Sequence, residues 1–90
     1  MTRGQPAPDR VLDAPGLACT SLTPLVSRVM SELAPGALLE VRTDDPAARM
    51  GMPAWCRLTR NPLQDTFVGP DPSRGLGPEQ TVFQITKKEL

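Results

Sequence analysis

The 90-residue chain contains no histidine and only two cysteines, and its ten basic and ten acidic residues cancel to a formal net charge of zero. Without histidine, Cys-His and Ser-His-Asp catalysis within the chain are excluded. A four-ligand zinc site is excluded too, since two thiols cannot complete one. Two cysteines are also too few for a disulfide framework. Zero net charge argues against a direct nucleic-acid binder, which needs clustered Lys and Arg. No apolar run approaches the roughly 20 residues of a membrane span. The opening "MTRGQPAPDR" lacks the apolar segment of a signal peptide, and a cytoplasmic location is expected. Ninety residues suffice for one two-layer core and leave no room for a dedicated substrate domain.

What is present reads as a regular alternation of elements. Residues 1–9 are expected to form a disordered tail, and residues 10–90 a single domain. "RVLDA" (10–14) reads as a strand, and Pro15-Gly16 as a turn. Leu22, Leu25, Val26, Val29, Met30 and Leu33 follow helical spacing. Thr20, Ser21 and Thr23 are candidate N-caps, and Pro24 suits a first turn. Ala34-Pro35-Gly36 ends that helix. "ALLEVRT" (37–43) alternates as a half-buried strand.

Asp45 and Pro46 should open a second helix running to about Arg60, with Ala48, Met52, Trp55 and Thr59 inward. Pro53 predicts a kink or a restart. "LQDTFVG" and "TVFQITKK" read as a hairpin. Its connection, Gly69 to Pro78, carries three glycines and three prolines, a length and composition that predict mobility. The order β-α-β-α-β-β implies an α/β two-layer sandwich, a four-stranded mixed sheet with both helices on one face.

Within that frame Cys19 falls at or just before a helix N-terminus. There the unpaired N–H groups and the helix dipole favour an anion. Thiols so placed have pKa values of about 3.5–7.5. The same position also suits a small buried hydrophobe, so local features leave packing and reactivity both open. Cys56 lies 37 positions later on or beside the inner face of the second helix, where burial in the core is the simpler reading. As a resolving thiol for Cys19 it would need Cα atoms within about 7 Å. Asp44-Asp45 reads as capping rather than as a carboxylate pair. Arg10, Arg28, Arg49, Arg57 and Arg60 read as a solvated face. Trp55 reads as core, and Lys87-Lys88 as strand-edge charge.

Taken in order, "LDAPGLACTSLTPLV", "LAPGALLEV", "TDDPAA" and "MPAWC" resemble the TusA/SirA-like family of small sulfur-carrier proteins. The likeness covers roughly residues 11–60. It implies the same two-layer sandwich, similar to the C-terminal domain of bacterial translation initiation factor three. It also implies a sulfurtransferase role with no cofactor. A persulfide would sit on Cys19, received from a cysteine desulfurase or rhodanese-like donor and passed to an acceptor protein.

One departure stands out. The family signature is Cys-Pro-x-Pro, whereas Thr20, Ser21 and Leu22 follow Cys19 here. Thr20 and Leu22 in place of proline restore N–H donors and predict a looser turn. Thr20 and Ser21 are the candidates to hydrogen-bond the sulfur. Two other readings follow from the same residues: a non-catalytic interaction module on this fold, and a thiol redox switch using Cys19 and Cys56.

Overall fold

A computed structural model describes residues 8–14 and 16–88, and at Cys19 the backbone. The elements are β1 (Arg10–Ala14), α1 (Cys19–Ser31), β2 (Leu38–Thr43), α2 (Ala48–Thr59), β3 (Leu63–Val68), a short 3-10 turn (Pro72–Arg74) and β4 (Thr81–Thr86). The four strands form one sheet in the order β1-β2-β4-β3. β1 and β2 are parallel, and β4 is antiparallel to both of its neighbours. The expected β-α-β-α-β-β sandwich with a mixed sheet is therefore what forms.

The helices cover the sheet because each carries one apolar stripe. From α1 come Leu22, Val26, Val29 and Met30; from α2 come Ala48, Met52 and Cys56. They close over Leu39, Val41, Phe83 and Ile85 of the two central strands. Phe83 is fully buried, and truncating it to alanine costs about 3–5 kcal/mol. On the opposite sheet face Glu40 accepts hydrogen bonds from Arg42 (3.0 Å) and Gln84 (3.3 Å), a polar cover for strands that no helix shields.

Of the tail expected over residues 1–9, residues 1–7 lie outside the described residues. Asp9 is bonded to β2: its N–H donates to Leu38 O at 2.8 Å, and its carboxylate accepts from Leu38 N at 2.7 Å.

Several local expectations need correction. Helix α1 begins three residues earlier than its apolar spacing suggests. Its N-cap is Ala18, which offers no side-chain acceptor. Thr20, Ser21 and Thr23 therefore lie inside the helix and are not N-caps. Pro24 is the sixth helical residue, so Thr20 O lacks its intrahelical donor. Helix α2 likewise runs through Pro53, also its sixth residue, without a restart. An internal proline removes one hydrogen bond, but packing of the apolar stripe outweighs that loss. The N-cap of α2 is Ala47, with no side-chain cap bond, and the helix starts at Ala48. Neither Asp45 as N-cap nor Pro46 as first residue therefore holds, and Asp45 lies two residues before the cap. Its Oδ1 accepts from Ala47 N at 3.1 Å, and a tight turn at Pro46 and Ala47 leads into the helix.

The Gly69–Pro78 connection carries contacts of its own. Asp71 accepts from Ser73 N, exchanges backbone hydrogen bonds with Leu76, and meets Arg74 at 3.5 Å. Arg74 lies over the Phe67 ring, 3.5 Å from its centroid, and Leu76 is buried. Lys87 is more than strand-edge charge. Its ammonium donates to Met30 O at 2.7 Å, a carbonyl that also accepts from Leu33 N at 3.1 Å, and so places positive charge at the negative end of α1.

Candidate functional site

The two helices run in the same direction over the sheet. The loops that start them meet at one edge, where Gly16, Leu17, Ala18, Asp44, Asp45 and Pro46 line an open depression of about 360 Å³. Towards their C-termini Trp55 Nε1 donates to Ser27 Oγ at 3.1 Å, so Trp55 fastens α2 to α1 and is only half-buried.

The β1–α1 loop is short because Gly16 takes a left-handed backbone, φ +78°. A Cβ there would meet nothing within 4 Å, so glycine serves the turn's conformation and not its space. Leu17 packs partly against the core. Gly16 N donates to Asp44 Oδ1 at 2.9 Å, which ties the loop to the end of β2. Asp44 is itself held in a folded turn, since Asp45 N donates to Thr43 Oγ1 at 3.1 Å and Thr43 is buried. The adjacent aspartates thus have separate tasks. Asp45 folds the turn that leads into α2, while Asp44 holds a loop 28 residues away. No local pattern announces that second contact.

Cys19 is the first residue of α1. Ala18 O accepts from both Ser21 N and Leu22 N at 2.9 Å, closing the first turn. This bears on the missing family prolines. A proline at position 22 could not make the Leu22 bond. Leu22 instead supplies that donor and is fully buried in the core. The turn thus has a hydrogen bond and an apolar anchor where the family signature has proline. Thr20 and Ser21 occupy the second and third helical positions and are exposed. No acidic residue lies in the first turn of α1, so its own side chains do not neutralise the positive end of the helix.

Cys56 is placed differently. It lies in the third turn of α2, 4 % exposed, and burial pushes its thiol pKa up to about 11. It is one of the residues lining a groove between α2 and β3 with Pro53, Arg57, Arg60, Asn61, Pro62 and Leu63. Residue Ser27, level with Trp55, lies eight residues beyond Cys19, about 12 Å along the axis. Packed helices add about 8–10 Å between axes. Cys19 and Cys56 thus sit well beyond the roughly 7 Å Cα separation of a disulfide, and the fold does not bring them together as a redox pair.

The arginines read as a solvated face are all exposed, and two of them also bond: Arg10 pairs with Glu32 at 3.0 Å and Arg49 donates to Thr81 Oγ1 at 3.1 Å. Among the described residues no group of three or more His, Cys, Asp or Glu could hold a metal ion. Among the same residues no helix is long and apolar enough to cross a membrane.

Comparison with known proteins agrees with this geometry. The family model described as sulfurtransferase TusA matches residues 10–69. The sulfur carrier protein TusA of Pseudomonas aeruginosa PAO1 is 40 % identical over 48 residues, covering 53 % of this chain and 61 % of that protein. The putative sulfur carrier protein YrkI of Bacillus subtilis is 41 % identical over 49 residues, covering 54 % and 65 %. The chain thus spans about three fifths of the length of these curated relatives. The matched residues run from β1 through both helices and β3, and on these grounds the chain belongs to the TusA family.

Proposed function

We propose that the protein is a sulfur carrier that holds sulfur as a persulfide on Cys19. The observation that carries this reading is the position of Cys19 as first residue of α1, behind an N-cap without a side-chain acceptor, in a chain of the TusA family. The Cys19 thiolate attacks the outer sulfur of a donor's persulfide. The donor's own sulfur leaves as a thiolate, and the new S–S bond replaces the old one without net oxidation. Attack by an acceptor thiolate on the outer sulfur of Cys19 reverses the exchange and frees Cys19.

The positive end of α1 favours the anion at each stage. Thr20 and Ser21 hydroxyls are the side-chain donors nearest in sequence to assist it. The donor is a protein such as a cysteine desulfurase or a rhodanese, the acceptor is another protein, and no cofactor is needed. The role is that of a sulfurtransferase acting in relay.

The test is intact mass after incubation with a cysteine desulfurase and cysteine, without reductant. The expected result is a gain of about 32 Da per sulfur, retained in Cys56→Ser and absent in Cys19→Ser. Failure to gain mass with either a desulfurase or a rhodanese, while Cys19 still alkylates, would overturn the reading. The interaction module would then stand in its place, favoured by the absent Cys-Pro-x-Pro.

A further inference from the structure

The hydrogen bond from Gly16 N to Asp44 Oδ1 ties the β1–α1 loop to the end of β2, ahead of the Ala18 bonds that close the first turn of α1. Gly16 is exposed, and a Cβ on it would touch nothing, so side-chain packing does not hold that point of the loop. Three residues later the chain reaches Cys19. Between them Leu17 packs partly against the core, so the Asp44 bond sets the direction in which the chain enters α1. Asp44, by contrast, stands on fixed ground. Its neighbour Thr43 pairs with Ala14 in the parallel ladder, and Thr43 Oγ1 accepts from Asp45 N.

The charge of Asp44 works against its position. A carboxylate beside the loop disfavours a second anion at Cys19, and Asp45 on the same turn adds to the effect. Electrostatics alone would place a neutral or basic group there. What the carboxylate supplies is a fixed acceptor.

We infer that Asp44 is a positioning residue for Cys19: its hydrogen bond to Gly16 N sets the loop that delivers Cys19 to the first turn of α1. This rests on the sulfur-carrier reading, and the experiment separates the two. An asparagine keeps an acceptor oxygen and loses the charge, while an alanine loses both. Asp44→Asn and Asp44→Ala are compared with wild type in three measurements. These are the rate of sulfur uptake from a desulfurase persulfide, the rate of iodoacetamide alkylation at Cys19 and at Cys56, and hydrogen exchange at Gly16 N.

In Asp44→Asn, uptake should stay within about threefold of wild type, and Cys19 alkylation at neutral pH should be about two- to fivefold faster, because an anion has gone. In Asp44→Ala, uptake should fall at least about tenfold, because a displaced nucleophile loses its attack geometry. Its Cys19 should alkylate no more slowly than wild type, since a small reagent needs no docking. Gly16 N should stay protected in the asparagine variant and exchange freely in the alanine variant.

A merely structural role would show as alkylation of Cys56 in the alanine variant, which would overturn the inference. Wild-type uptake by Asp44→Ala would overturn it too, as would equal failure of a folded Asp44→Asn. If wild type itself takes no sulfur, the carrier reading has failed, and Gly16 exchange still decides whether Asp44 holds the loop.

Discussion

The two cysteines are the same side chain in opposite surroundings. Cys19 opens a helix at its positive end, next to Ala18, which lines a shallow depression. Cys56 sits two turns into a helix whose inner stripe closes on the sheet, and burial keeps its thiol protonated. On the proposed reading the contrast teaches that position along a helix sets one thiol up as an anion and leaves the other as a methyl-sized filler, with no basic side chain needed in a chain without histidine.

The sharpest way to break the comparison is to exchange the cysteines' fates. Cys19→Ser should abolish sulfur loading, whereas Cys56→Ser should load normally while melting at a lower temperature; mass spectrometry and thermal unfolding read the pair. Next in size is reactivity. With a pKa of about 11, only about one Cys56 thiol in a thousand is ionised at pH 8. Alkylation at that pH should modify Cys19 alone, and Cys56 only after denaturant is added.

The third test concerns the first turn of α1. Leu22→Pro removes the bond to Ala18 O and a fully buried side chain, and should cost about 3 kcal/mol or more by urea unfolding. Thr20→Pro falls in the first turn, where a missing N–H is tolerated, and should change stability by less than about 1 kcal/mol.

The pH dependence of stability sharpens the contrast further. The Cys56 thiol has a folded pKa near 11 against an ordinary value of 9.0. Unfolding above pH 9 therefore releases a proton that the folded state retains. The contribution of Cys56 to stability should be complete below pH 9 and decline by about 1.4 kcal/mol per pH unit as pH rises towards 11. Cys56→Ala should remove this part of the slope of urea midpoint against pH.

The smallest effect is expected at Arg60, which ends α2 in the left-handed region at φ +64°. Arg60→Gly should raise stability by about 0.5–1 kcal/mol, again read by urea.

Much of this arrangement was legible in the residues. Period-2 and period-3.6 patterns placed all four strands and both helices, because each buries one face. The position of Cys19 followed from the turn at Pro15-Gly16 and the apolar run after it. What pattern could not supply were contacts between distant segments. Asp44 to Gly16, Lys87 to Met30 and Trp55 to Ser27 each join residues 28 or more apart through one polar atom on each side. Hydrogen bonds of that kind have no periodicity. The prolines misled for a related reason. Propensity treats Pro24 and Pro53 as boundaries, yet tertiary packing of Val26, Val29, Met52 and Cys56 carries both helices through them.

The pairing of β3 with β4 slips between Leu63 and Asp65. A sheet of four strands has two free edges, each able to recruit a neighbouring molecule's backbone. At β3 the slipped register, with the Asp65 carboxylate turned onto Thr66 N, breaks the straight run of donors and acceptors that a copy would need. The consequence is a poor template for growth at that edge.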